Sequence, residues 1–172
     1  MILKRLFKRP QAPERRCYEA IVAAARHPAF YARWQVADTL DGRFDMVALH
    51  TYLILDRLKG AEPEFRQALV DEFFRDMDRS LRELGVGDVS VGKKVRKMAE
   101  VFYGRIAAYD AALAGEDGAL VAAISRNVFP DDNQPAGASP LAAYLTEQRS
   151  HLALQDSFAI AQGQVSFKEP MP

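Results

Sequence analysis

The segment FDMVALHTYLILDRLK, residues 44–59, constrains this chain more than any other stretch. Stepped at about 100° per residue, Phe44, Val47, Ala48, Tyr52, Ile54, Leu55 and Leu58 cover one broad side, while Leu49 and Leu53 stand on the other. A helix apolar around most of its circumference has no face to give to water. It must be central, with neighbours packed on several sides. Gly60 ends it.

The rest of the sequence supplies those neighbours in the same helical period. Residues 14–26 form an alanine-rich first helix. Pro28 suits a first helical turn, so a short second helix holds Phe30, Tyr31 and Trp34. In 63–84, Leu69, Val70, Phe73, Phe74, Met77, Leu81 and Leu84 fall in one arc between Pro63 and Gly85, which predicts an amphipathic helix. The link GVGDVSVGK follows. In 93–113, Val95, Met98, Ala99, Phe102, Ile106, Tyr109 and Leu113 share a face, with Lys93, Lys94, Lys97 and Arg105 opposite. A helix is predicted over 117–127, a loop over VFPDDNQPAGASP, and a last helix over 140–161 behind Ser139-Pro140. The expectation is an all-α, single-domain bundle of six to eight helices spanning 14–162. A basic segment (1–13) precedes it and a loose tail (163–172) follows.

Bulk properties narrow the function classes. The 172 residues suit one domain with one core. Lysine plus arginine balances aspartate plus glutamate at 23 each, which argues against a general nucleic-acid binder and against specific DNA binding. The single Cys17 cannot form an internal disulfide and fits a reducing compartment. No apolar run reaches the roughly 20 residues a membrane crossing needs. At the N-terminus, Lys4, Arg5, Lys8 and Arg9 alternate with Ile2, Leu3, Leu6 and Phe7. This pattern suits a short basic amphipathic segment resting on anionic lipid, with Leu3, Lys4, Arg5, Leu6, Phe7, Lys8 and Arg9 as candidate contacts.

The stretch DTLDGRFDMVALH gathers three carboxylates, an arginine and a histidine. Asp41-Gly42 is a turn pair, and Asp41 can cap the following helix. Asp38 precedes the turn, and Arg43 can pair with either carboxylate. A metal site at His50 would want a ligand one turn away, but those positions hold Met46, Val47, Leu53 and Ile54. His50 therefore reads as a hydrogen-bonded core histidine. Asp76 and Asp78 point about 200° apart and cannot grip one ion together; Asp76 borders the apolar arc and suits an ion pair to another helix. The glycines of GVGDVSVGK superficially echo a phosphate loop. Gly92-Lys93 is followed by Lys94 rather than Ser or Thr, and a helix rather than a strand precedes it. No catalytic, cofactor-binding or metal-binding residue emerges. Asp38, Asp41, Gly42, Arg43, His50 and Asp76 read as structural.

The order of motifs is more informative than any one of them. Tyr31-x-x-Trp34, then DTLDGRFD with LH just after, FFRDMDRSLRELGVGDVSVGKKV, MAEVFYGRIAAYDAAL and SRNVF resemble the ubiquinol–cytochrome c chaperone family. The likeness covers about two thirds of the chain, residues 15–129, and is most specific at 73–88 and 102–109. It implies an assembly factor for the bc1 complex rather than an enzyme, with no cofactor. The implied partners are newly made cytochrome b or another bc1 subunit, together with a partner assembly factor and the ribosome. The chain has the look of a bacterial form of the family domain. It would then be cytoplasmic and peripheral at the inner face of the cytoplasmic membrane.

Such a chaperone needs apolar surface for a client and basic surface near lipid or ribosomal RNA. Tyr31, Trp34 and Tyr103 are the candidate apolar contacts, and Lys93, Lys94, Lys97 and Arg105 the basic ones. Two other readings compete: a helical interaction or regulatory module with an unrelated partner, and a small enzyme using His50 with Asp38 or Asp41.

Overall fold

The helix α3 (Leu40–Arg57) runs through the middle of the molecule, and every residue from 44 to 55 is buried. The computed structural model describes residues 11–171, and the helices among them are eight, with no strand. Around α3 stand α1 (Pro13–Ala25), α4 (Pro63–Glu83), α5 (Asp88–Leu113), α6 (Ala119–Val128) and α7 (Ala138–Ala153). The short α2 (Pro28–Ala32) follows α1, and α8 (Ser157–Ala161) packs on α1. One apolar core links α3 to these neighbours. Phe44 meets Phe73 of α4 and Tyr52 meets Tyr109 of α5, at ring-centroid distances of 5.8 and 5.4 Å. The candidate membrane contacts Leu3 to Arg9 lie outside the described residues. No helix among the described residues is long and apolar enough to cross a membrane.

Local chemistry sets the ends of the elements. Thr39 Oγ1 accepts from the Gly42 amide at 3.2 Å, so the cap of α3 is Thr39 and not Asp41. Asp41 instead lies exposed in the first turn, where the helix dipole favours its charge. Gly85, at φ +84°, ends α4. Its amide bonds the Arg82 carbonyl and the Val86 amide bonds that of Leu81, a left-handed cap that suits glycine.

Three further expectations change. The link after α4 is shorter than its glycines suggested, because α5 begins at Asp88. That carboxylate lies in the first turn and pairs with Arg82. The predicted helix 140–161 is two helices. Asp156 accepts from the Ala159 amide at 3.1 Å and caps α8, a side-chain bond that competes with continuing α7. The predicted loose tail is docked. Gln148 of α7 and Gln155, just past its end, hold Lys168 and Ser166, Phe167 packs on the core, and Pro170 is buried.

Candidate functional site

The polar residues of 38–50 do not converge. Asp38 pairs with Arg43 at 2.7 Å on the surface, and this bond holds its carboxyl below the usual carboxylate range. His50 is fully buried. Its Nδ1–H donates to the Met46 carbonyl at 2.8 Å, and its Nε2 accepts from the Tyr144 hydroxyl at 2.9 Å. Phe30, Tyr144 and Phe167 enclose the ring at 5.7, 5.6 and 5.4 Å. Burial pushes its pKa down to about 4, so the imidazole is neutral. Both ring nitrogens are spent within the core, and neither is left for Asp38 or Asp41. Among the described residues no three His, Cys, Asp or Glu side chains are grouped to hold a metal ion.

Other polar groups tie helix to helix. Asp76 of α4 accepts the Tyr18 hydroxyl of α1 at 2.9 Å and pairs with Arg79. Glu72, about 60° outside the apolar arc of α4, is buried between Arg15 of α1, at 2.5 Å, and Arg75. Asp110 of α5 accepts the Tyr52 hydroxyl at 3.0 Å and pairs with Lys59. Sequence reasoning missed Glu72, because its phase falls outside the apolar arc and nothing in the α4 sequence shows that α1 covers it.

The candidate contacts divide. Trp34 is packed against Phe30 and Tyr144, at 5.4 and 5.9 Å, and is almost wholly buried. Arg105 does not share the lysine face. Its side chain is 16% exposed; it pairs with buried Asp45 of α3 and lies over the Phe44 ring at 5.3 Å. Helical phase alone puts it outside, because phase cannot show that α3 supplies a carboxylate there. Burial lifts the Asp45 carboxyl to about 7, against the pull of Arg105. Lys93, Lys94 and Lys97 are exposed on the first half of α5, where Val91 alone among residues 88–100 is buried. Tyr103 is exposed, and Tyr31 is half-buried with its hydroxyl on the Ala25 carbonyl at 3.0 Å.

A groove of about 440 Å³ opens between α1, the start of α3 and the end of α4. Tyr18, Val22, Phe44 and Met77 line it, with exposed Leu40 and Leu84 on its rim. Tyr31, Arg26, Asp38 and Arg43 line an adjoining hollow. Past Leu84, Val89 is 98% exposed at the start of the helix that carries the three lysines. This end of the molecule thus sets apolar side chains beside basic ones.

Fold and clusters together define an all-α domain whose interior polar groups join helices and whose open features are a groove and a lysine-bearing helix. The model of the family described as "Ubiquinol-cytochrome C chaperone" matches residues 32–167. The chain belongs to that family. It is 26% identical to ubiquinol-cytochrome-c reductase complex assembly factor 1 of Xenopus laevis, over 82% of this chain and 72% of the relative. The human protein of that name is also 26% identical, over 89% of this chain and 53% of its own length. The chain therefore spans only about half of the human relative. The crystal structure of the Cbp3 homolog from Brucella abortus is 46% identical and superposes with a TM-score of 0.82, covering 91% of this chain and 89% of that one.

Proposed function

We propose that this protein is an assembly chaperone for the ubiquinol–cytochrome c reductase complex, acting on newly made cytochrome b at the inner face of the cytoplasmic membrane. The observation that carries this reading is the family match over residues 32–167, with relatives named as assembly factors of that complex. The surface chemistry supports it. An apolar segment of a client has somewhere to lie, between Leu40 and Leu84 over Tyr18, Val22 and Phe44. Lys93, Lys94 and Lys97, one helix further, favour an anionic surface such as lipid headgroups or ribosomal RNA. No step in this reading requires bond-making chemistry from the chain.

Deletion of the coding sequence tests the proposal. The expected result is loss of the cytochrome b absorption band and of ubiquinol–cytochrome c reductase activity, both restored by the wild-type chain. A deletion strain with a full cytochrome b band and full activity removes the proposal and leaves an interaction module with some other partner. Complementation with Leu40→Glu, Leu84→Glu and the triple reversal Lys93→Glu, Lys94→Glu, Lys97→Glu then asks which surface matters.

A further inference from the structure

Arg66 carries a charge that its own fold does not use. It stands in the first turn of α4, where the helix dipole favours anions, so the helix itself gives a cation no reason to be there. Its Nε is buried with no hydrogen-bond partner among the described residues. The side chain borders a hollow of about 310 Å³ between the end of α3, the start of α4 and the middle of α5. Leu55, Val70 and Ile106 supply the apolar lining. Tyr103 also lines it and is 53% exposed.

The other charges around the hollow are already matched. Asp56 pairs with Arg149 at 2.8 Å. Asp110 pairs with Lys59 at 3.3 Å and accepts the Tyr52 hydroxyl at 3.0 Å. Among the described residues, Arg66 alone of the four charged side chains lining the hollow is left without a partner. A guanidinium fork takes a carboxylate by two parallel N–H donors. A doubly charged phosphate would also meet repulsion from Asp56 and Asp110, so a singly charged carboxylate fits better. The walls decide what carries it. The Lys59 side chain is 66% exposed and Tyr103 more than half exposed, so a small molecule would stay largely wet, whereas ligand sites bury about 70–90% of their occupants. A side chain presented by another protein brings its own cover, and arginine and tyrosine are residue types that anchor such contacts.

We propose that this hollow is a docking point for a partner polypeptide, which sets one aspartate or glutamate on the Arg66 guanidinium and lays an adjacent apolar side chain over Tyr103 and Ile106. The groove rimmed by Leu40 and Leu84 uses the opposite ends of the same two helices, the start of α3 and the end of α4. The two surfaces are therefore separate, and one can be filled without closing the other. This inference does not depend on which complex the protein assembles.

The first test is stability. Because Arg66 has no internal partner to lose, Arg66→Gln should leave the Tm of the purified full chain within about 3 °C of wild type or raise it. A larger fall means an internal role and overturns the proposal. The second test is photo-crosslinking in growing cells, with benzoylphenylalanine introduced at Gln67, an exposed residue lining the hollow. Light should capture a partner polypeptide, and the crosslinked peptide should carry an Asp or Glu beside an apolar residue. Adding Arg66→Gln should lower the yield about tenfold or more. Arg66→Glu should do the same, and changing the partner's acid to arginine should then restore most of it. The proposal is overturned if nothing is captured, if the captured surface holds no acid, if Arg66→Gln lowers the yield by less, or if the charge exchange fails to restore it. A second copy of this chain as the captured protein overturns it as well. So does saturable binding of free 3-phenylpropionate to the purified chain below about 1 mM, followed by NMR, because the occupant is then a free acid.

Discussion

His50 gives the protein a pH-dependent stability of predictable sign. In the unfolded chain its imidazole titrates at an ordinary 6.5; in the fold, burial holds it down to about 4. The folded pKa is the lower one, so the unfolded state takes up a proton first as pH falls. The His50 contribution is fully present above pH 6.5, is lost between about 6.5 and 4, and is flat below. At 1.36 kcal/mol per unit the whole window is worth about 3 kcal/mol, and the part between pH 7 and pH 5 about 2 kcal/mol. His50→Gln isolates this effect. Glutamine can still accept from Tyr144 but does not titrate, so other groups that titrate in the same range cancel in the comparison. Urea unfolding, followed through the fluorescence of the single Trp34 beside Tyr144, measures both proteins. At pH 7 the variant should be less stable by about 1–3 kcal/mol, from imperfect packing among Phe30, Tyr144 and Phe167. That deficit should shrink by about 2 kcal/mol at pH 5. Parallel stability curves across this range would show that His50 accepts a proton in the folded protein, and would refute the sealed, neutral imidazole. Tyr144→Phe is the control: it should cost about 1 kcal/mol and leave the pH dependence in place.

Arg105→Met should also show a deficit that shrinks as pH falls, through a carboxyl in place of the imidazole. It strands Asp45 without its cation at a cost of about 3 kcal/mol or more at pH 8. The loss eases toward pH 5, because a carboxyl whose folded pKa is raised is most stable protonated; Asp45→Asn in the same chain should recover most of it. Gly137→Ala places a methyl against the Trp34 carbonyl and 2.8 Å from the Phe129 ring. This should cost about 2 kcal/mol and lower the Tm by about 4–8 °C in calorimetry. Cys17 is fully buried and its thiol is pushed up to about 12, so it should resist a disulfide reagent at pH 8 until urea unfolds the chain.

What could be read from the sequence was what depends on periodicity and punctuation. The near-continuous apolar surface of 44–58 required α3 to be central, and Pro63 and Gly85 bracketed α4. The start of α5 was hidden because Gly85, Gly87 and Gly92 look alike in composition, yet Gly85 alone of the three has a positive φ and Gly92 lies inside a helix. The docking of the C-terminal tail was hidden for a different reason. Its order comes from side-chain amides bonding main chain, and that pattern has no period in either partner. Asp45–Arg105, sixty residues apart, is an ordinary acidic–basic pair in sequence; only the packing of α5 on α3 makes it a buried one.

The position of α1 links the groove to the docked C-terminal segment. Cys17, Ile21 and Ala25 are buried in the core, fixing one side of this helix. On one flank Tyr18, Val22 and Arg26 border the groove rimmed by Leu40 and Leu84. On the other, Ala20, Ala23 and Ala24, with His27 just past the helix end, border a hollow beside the C-terminal segment. Along its length α1 thus offers bulk to the first groove and absence of bulk to the second. It is held from beneath by Arg15 on Glu72 and Tyr18 on Asp76 of α4, both short contacts to a neighbouring helix. A helix anchored in this way can be contacted on either flank without moving. The groove and the C-terminal segment then lie on the two flanks of one fixed support.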